Sequence, residues 1–432
     1  MIQRLLPFEP DLLASAAKRP GFFPALLESQ SYNHKIGRFD ILFAAPSAEL
    51  VAYNKEQLDQ LLGYVNSTTL NQKKIANTPF QFGWFVYFSY ESSYLLEPKL
   101  SHLIGSTSEP LAVAFYCQGA VVIDQLKQQS WLYAVSSPVA DMILDELSHS
   151  FQVSDKQVMA GKMQEDEACY FIQAVKTAKE LIQSGDVYQA NLSRQYRCKV
   201  NKNIRPADVL ARFRRFNPSP FAGMLQANDF SVVSSSPERL FSVQGGWVET
   251  RPIAGTRPRG LTERDDEALI DELFDTPKER AEHIMLIDLE RNDVGKVCQI
   301  GTVTVDELMV IESYQHVHHI VSNIKGYLKD GMTFIDILKA LFPGGTITGC
   351  PKIRCMEVIH QIEQRNRGCY TGSMGYVNHD GQVDLNILIR TVAFNAQSIS
   401  FNAGAGIVFD SDPVAELSET KHKAEGLIRA LS

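Results

Sequence analysis

A chain of 432 residues with 44% hydrophobic and 21% charged side chains has ordinary globular usage, which excludes a disordered chain or a coiled coil and leaves room for more than one core. Its formal charge of −8 excludes nucleic acid and an acidic membrane surface as main partners, so an anionic substrate needs local help from a metal or from placed arginines. Seven cysteines, an odd number without CxxC spacing, fit a reducing compartment.

The N-terminal stretch MIQRLLPFEPDLLASAAK is broken by prolines and an early acid, unlike the continuous apolar core of a signal peptide. No apolar run approaches the ~18 uncharged residues of a membrane helix. The expected location is therefore the cytoplasm. Residues 1–150 read as strand-rich, through RFDILFAA, FGWFVYFSY and LAVAFYCQGAVVI, with no helical run comparable to those that follow. From about 166 the texture changes: EDEACYFIQAVKTAKELIQSG has apolar residues at helical spacing and closes on Gly185 as a C′ glycine. The polar stretch 150–165 is the expected boundary between an N-terminal region (1–150) and a catalytic region (165–432). Beyond it, the expected strands VYQANLSRQY, VDLNILIRTV and SISFNAGAGIVF are mixed with helices after Pro277, Pro351 and Pro413. Several strands follow one another before the next helix, which predicts an α+β fold.

The helix starting at Thr276-Pro277 places Glu279 and Glu282 three apart on one face. For Glu279 the alternative is a capping box with Thr276. On the last helix Glu416, Glu419 and Lys423 share a face, whose default reading is a solvated acidic surface. Two Glu-x-x-Glu pairs on separate helices also suit Mg²⁺, which prefers carboxylates, water and substrate oxygens. Arg390 stands among apolar residues, where a guanidinium needs an anionic partner. In Ala403-Gly404-Ala405-Gly406 the small residues let backbone N–H groups approach an anion, or else mark a bulge or tight sheet packing. The run His316-Val317-His318-His319 has no partners to complete a zinc site, and one histidine as a proton carrier or donor fits better. Glu238, after Pro237 at a strand end, is either a buried general acid or part of a surface turn. The run GGTITGCPK lacks the order of a phosphate-binding loop and reads as a turn into the helix after Pro351.

These segments together resemble the chorismate-utilising enzymes, the family of anthranilate synthase component I, aminodeoxychorismate synthase component I, and the isochorismate and salicylate synthases. The resemblance runs through GDVYQANLSR, SSPERLF, RPIAGTRPRG, KERAEHIMLIDLERNDVG, HHIVSNI, FPGGTITGCPKIRCMEVI, YTGSMGY, DLNILIRT, NAGAGIVFDS and ELSETKHKAEGL. It implies two antiparallel β-sheets packed as a sandwich with helices outside, residues 1–150 contributing strands. It also implies Glu282 and Glu419 as Mg²⁺ ligands supported by Glu279 and Glu416, with the metal holding the ring carboxylate of chorismate. Arg390, Tyr370 and the backbone at Gly404 and Gly406 take the other carboxylate, Glu238 acts as acid toward the C4 hydroxyl, Gly255 and Thr256 line the site, His319 is the family's active-site histidine, and Lys423 supplies an outer charge.

At Gln189 the water-adding relatives carry a lysine base, and a neutral amide there cannot deprotonate water. The resemblance is thus to the ammonia-using branch, in which a separate glutamine amidotransferase subunit supplies NH₃. Within that branch Ala254 stands where aminodeoxychorismate synthases often place a nucleophilic lysine, and so matches the anthranilate enzymes. The short length and the motifs NPSPFAGML, HVHHIVS, YTGSMGY and DLNILIRT favour the aminodeoxychorismate branch, with Ala254 as a variant that aminates without an enzyme-bound intermediate. A non-catalytic ligand-sensing subunit is a third reading, set against the intact charged set Glu238, Glu282, Arg390 and Glu419. Leu27-Glu28-Ser29, with Asn217, Pro218 and Phe221, resembles the segments lining the tryptophan pocket of feedback-inhibited anthranilate synthases, the alternative being plain sheet packing.

Overall fold

A computed structural model of the chain describes residues 1–31, 37–69, 79–147, 157–314, 317–395 and 397–432, except the side chains at 277 and 278. Among these are twenty strands and eleven α-helices. The N-terminal part holds β1 (Ile2–Leu5), α1 (Leu12–Lys18), β2 (Ala25–Glu28), β3 (Phe39–Ala52), α2 (Lys55–Thr68), β4 (Gly83–Phe88), α3 (Ser92–Leu96), β5 (Ala112–Asp124), β6 (Gln129–Ala134) and α4 (Ser137–Glu146). The middle holds β7 (Met159–Glu165), α5 (Ala168–Gln183), β8 (Gln189–Val200), α6 (Pro206–Phe216), β9 (Phe221–Ala227), β10 (Phe230–Ser236), β11 (Arg239–Gln244), β12 (Trp247–Thr250), β13 (Ile253–Pro258), α7 (Glu263–Asp275) and α8 (Pro277–Val297). The last part holds β14 (Thr304–Ser313), β15 (Val317–Tyr327), α9 (Phe334–Leu341), β16 (Gly349–Cys350), α10 (Lys352–Glu363), β17 (Ser373–Asn378), β18 (Val383–Asn386), β19 (Thr391–Phe394), β20 (Ser398–Ile407) and α11 (Pro413–Leu431).

Local chemistry sets several of these ends. Asp412 caps α11 by accepting from the N–H groups of Val414 and Ala415, with Pro413 in the first turn. Gly185, at φ +82, follows α5 as expected, and its N–H returns to the Ile182 carbonyl. The helix α2 was not anticipated: Asn54 caps it, and Leu58, Leu61, Leu62 and Val65 form its buried stripe, a periodicity hidden between two long strands.

Every strand pairing is antiparallel, and hydrogen bonding joins all twenty strands into one network. Its spine is β3 against β5, from Phe39 opposite Asp124 to Ala52 opposite Ala112. One arm continues from β3 through β2, β9, β10, β19 and β20 to β8, and the other from β5 through β4, β17, β18, β11 and β12 to β15. Strands from the first 150 residues thus pair directly with later ones. One core lies under the first arm, where Leu13, Ile143, Phe213 and Leu427 from α1, α4, α6 and α11 meet Val233 and Phe401. A second lies under the other arm, where Leu62, Val294 and Leu338 from α2, α8 and α9 meet Phe241 and Ile324. A third draws Phe43, Phe85, Leu225, Val232 and Leu388 from both arms.

Between α10 and β17 the chain is held by a buried ion pair: Arg367 and Glu363, whose side chains are 1% and 4% exposed, bond through Nη2 and Oε1 at 2.7 Å. Arg367 also donates to the carbonyls of Asn191 and Ile347, so it ties α10 to β8 and to the loop before β16. Arg367→Leu should destabilise the protein by about 3–5 kcal/mol, because it strands a buried carboxylate, and Glu363→Gln in the same chain should restore part of the loss. Denaturant unfolding of the three proteins measures both effects.

Candidate active site

The site is built on the pairing of β8 with β20, in which Asn191 lies opposite Gly406 and Ser193 opposite Gly404. Gln189 and Asn191 alternate onto one face of β8. Side chains cannot replace the glycines: a Cβ at Gly406 would lie 2.4 Å from Gln189 Nε2, and one at Gly404 would lie 2.4 Å from the Tyr370 hydroxyl and 2.8 Å from Asn191 Oδ1. The glycines thus fit the tight sheet packing that was the alternative here, without a bulge in the β8–β20 register. Gly349, at φ +132, turns the chain into α10, and a Cβ there would meet the Gln189 carbonyl at 2.0 Å.

Four carboxylates come from α8 and α11. The capping-box alternative for Glu279 is not formed: Glu279 instead accepts from Arg257 Nη1 at 2.8 Å, and Thr276 Oγ1 donates to the Glu272 carbonyl. Its other oxygen, Oε2, is buried without a hydrogen-bond partner among the described residues and would be 2.6 Å from a Cβ on Gly255. Glu282 Oε1 accepts from Gln189 Nε2 at 2.9 Å. Glu416 is buried, whereas Glu419 is half exposed and pairs with Lys423 at 2.6 Å. Lys423 in turn donates to the Gly404 carbonyl at 3.1 Å, which links α11 to the floor. Among the described residues no three Asp, Glu, His or Cys side chains converge as a ready metal cage.

Glu238 lies in the turn from β10 to β11 and is buried, so the surface-turn alternative is excluded. Burial pushes its carboxyl up to about 8, against the hydrogen bond that Thr346 donates at 2.7 Å and with added repulsion from Glu290. Glu290, which the sequence reading passed over, is itself raised to about 7 by burial and accepts from Thr250 and from the N–H of Gly345. The loop Gly345-Thr346 thus holds both acids by adjacent residues. Glu290 directly follows Leu286, Ile287 and Leu289, the buried apolar residues of α8, and is buried with them.

Arg390 is not in a strand, as its sequence suggested, but in the break between β18 and β19 at φ +50. Among the described residues no anionic side chain pairs with it, and burial holds its guanidinium below the usual range. His319 senses it: burial, then Arg390, lowers the imidazole to about 4, so the ring is neutral at pH 7. His319 Nδ1 shares a 2.9 Å hydrogen bond with Thr256, its cross-strand neighbour across the bulge at Gly255. His318 points elsewhere, to Ser313 and Asp266, and His316 lies outside the described residues. Ala254, on β13, is buried and offers no nucleophile.

A separate cavity of about 360 Å³ is lined by Leu27, Glu28, Ser29 and Phe221, but not by Asn217 or Pro218, which were grouped with them. Asn217 instead ends α6 and accepts a hydrogen bond from Ser235. Arg239 and Asp384 cross the cavity wall as a two-bond pair at 2.9 Å each, with Phe221 stacked beneath the guanidinium.

A carboxyl whose folded pKa is raised above its unfolded value binds a proton that the unfolded chain has lost, so it subtracts stability as pH rises from 4.5 to about 8. Glu238→Gln lacks that titration. The variant should match the wild type at pH 4.5 and exceed it by on the order of a few kcal/mol at pH 8, while losing activity. Thermal unfolding across that range checks the sign, and a constant difference would contradict it.

The model of the chorismate binding enzyme family matches residues 23–429. An anthranilate synthase component I-like protein of Synechocystis is 41% identical over 379 residues, covering 87% of this chain and 78% of the relative. Aminodeoxychorismate synthase component 1 of Bacillus subtilis is 40% identical over 365 residues, covering 82% and 77%. The crystal structure of anthranilate synthase component I from Streptococcus pneumoniae superposes with a TM-score of 0.77 at 28% identity, covering 92% of this chain and 94% of that one. With nearly its whole length inside the family model and relatives of this closeness on two branches, the chain belongs to the chorismate binding enzymes.

Proposed function

We propose that this protein aminates chorismate to 4-amino-4-deoxychorismate, using ammonia from a separate glutamine amidotransferase subunit and Mg²⁺ as cofactor, in the cytoplasm. The observation that carries the reading is Gln189: the floor of the site presents a neutral amide bonded to Glu282, which cannot take a proton from water. Two relatives at about 40% identity carry the names of ammonia-using synthase components. The family's two-layer sandwich, with 1–150 and 165–432 as its two regions, is supported by the core cluster drawn from both arms.

In this reading Arg390, with no protein anion to neutralise it, and Tyr370 beside Gly404 receive one substrate carboxylate. Glu282 and Glu419, with Glu279 and Glu416 behind them, would hold Mg²⁺. The all-oxygen donor set and the unpartnered Oε2 of Glu279 suit that ion, whose charge would receive the ring carboxylate. Glu238, still protonated at neutral pH, gives its proton to the C4 hydroxyl as it leaves as water, and the carboxylate so formed takes a proton from the nitrogen after the C–N bond forms. His319, neutral, and Thr256 line the site, and Lys423 lends positive charge from the α11 side. Ala254 leaves no nucleophile for an enzyme-bound ring intermediate.

Ala254 also supports the alternative product, anthranilate with release of pyruvate, and several further relatives are named anthranilate synthase component 1. A non-catalytic sensing subunit is disfavoured because Glu238, Glu282, Arg390 and Glu419 are all retained. Incubation with chorismate, Mg²⁺ and an ammonium salt separates these: anthranilate forming directly supports the alternative, and p-aminobenzoate forming only after a lyase is added supports the proposal. Glu282→Gln and Glu419→Gln should each abolish turnover while leaving the fold intact, and near-normal Mg²⁺-dependent activity removes that residue from the metal site.

The cavity beside Phe221 bears on regulation. The chain continues Phe221-Ala222-Gly223, and a Cβ at Gly223 would fall 2.5 Å from the Leu26 carbonyl, so the strand cannot carry a larger reader of an indole at that point. Inhibition needs different affinity for active and inactive states. Millimolar tryptophan should leave chorismate consumption unchanged, and strong inhibition at micromolar tryptophan would move the assignment to anthranilate synthase.

A further inference from the structure

Glu290 is a buried carboxyl to which the reading above gives no task, yet both of its oxygens are held. Oε1 accepts from the N–H of Gly345 at 3.2 Å and Oε2 from Thr250 at 3.0 Å, so Glu290 ties α8 to β12 and to the loop before β16. A Cβ at Gly345 would lie 2.5 Å from Leu289 Cδ2 and 3.2 Å from Glu290 Oε1, so only glycine lets the loop come this close to α8. The next residue, Thr346, donates to Glu238 Oε1 at 2.7 Å. That bond makes Oε1 the carbonyl oxygen of the neutral acid and leaves the proton on Oε2. Two further charges act on Glu290, Lys352 of α10 and Asp293 of α8, which pair with each other and act in opposite directions. Glu238 meets Lys423 of α11 and Glu290 itself.

We propose that Glu290 is a positioning residue for Glu238: it clamps the loop from which Thr346 holds Glu238, and its carboxylate, once ionised, opposes loss of the Glu238 proton. This rests on the reading of Glu238 as the acid. Each proton lost from a close pair of acids makes the next harder to remove. Glu290, raised to about 7, ionises before Glu238, raised to about 8. Glu238 therefore keeps its proton through a range in which Glu290 has already given up its own. A purely structural Glu290 would be replaced without effect by an amide, which can accept from Gly345 and donate to Thr250.

The test uses the full chain. The infrared band of the protonated Glu238 carboxyl, identified by its loss in Glu238→Gln, is followed as pH rises. So is kcat/KM for chorismate, at saturating Mg²⁺ and a fixed concentration of free ammonia. In Glu290→Gln the band and the high-pH limb of kcat/KM should both move down by roughly half to one pH unit. An unmoved band overturns the assignment, because it leaves Glu290 a structural role only. Glu290→Met, which also releases Gly345, should lower kcat roughly tenfold on the low-pH plateau, with KM for chorismate within about twofold. An unchanged kcat there overturns the clamp. If neither variant folds, the wild type carries the test: the Glu238 band should shift as Glu290 ionises, before it disappears, and a band that only fades in one step overturns the assignment. Wild-type turnover that persists where Glu238 has lost its proton defeats Glu238 as the acid, and the part of Glu290 in the reaction with it.

Discussion

The ten-residue pairing of β8 with β20 is the contact on which the site depends, because it brings Gln189, Asn191, Gly404 and Gly406 into one floor. Backbone hydrogen bonds fix the register, and a slip of one residue would turn Gln189 and Asn191 to the opposite face. Everything above the floor is referred to it: Lys423 reaches the Gly404 carbonyl from α11, Glu282 meets Gln189 from α8, and Arg367 grips the Asn191 carbonyl from beyond α10. Helices that pack in different cores therefore deliver their charged ends to a shared strand pair.

Burial then sorts the titratable groups. It holds the proton on Glu238 and Glu290 near neutral pH and strips it from His319 and His283, each lowered to about 4. Glu238 therefore keeps most of its protons at neutral pH, and His319 carries no charge there. The desolvation that keeps Glu238 protonated also makes it a liability to the fold above pH 4.5.

The sequence made the long periodic elements legible. α5, α8, α10 and α11 begin and end where their prolines, caps and Gly185 place them, and β3, β4 and β5 grow from the apolar runs that announced them. It failed where tertiary contacts override local pattern. VDLNILIRTV reads as a continuous strand, yet β18 ends at Asn386 and Arg390 sits at φ +50 before β19 begins. Thr276-x-x-Glu279 has the spacing of a capping box, yet Arg257 from β13 captures the carboxylate. Glu290 and Thr346 lay inside the runs KERAEHIMLIDLERNDVG and GGTITGCPK, which were read for other residues, and only the fold sets them around Glu238.

Arg367 and Arg390 differ in how fully the chain satisfies them. Arg367 is saturated: Glu363 neutralises it, carbonyls of Asn191 and Ile347 take further donors, and Tyr90 lies under its plane at 4.9 Å. Arg390 has none of this and keeps a strained backbone besides, a combination that folding alone does not favour. A satisfied guanidinium rigidifies the elements it joins, whereas an unsatisfied one retains its full attraction for an incoming anion. The first ties β8 to α10 and to the loop before β16, whereas the second is paired with no acid among the described residues.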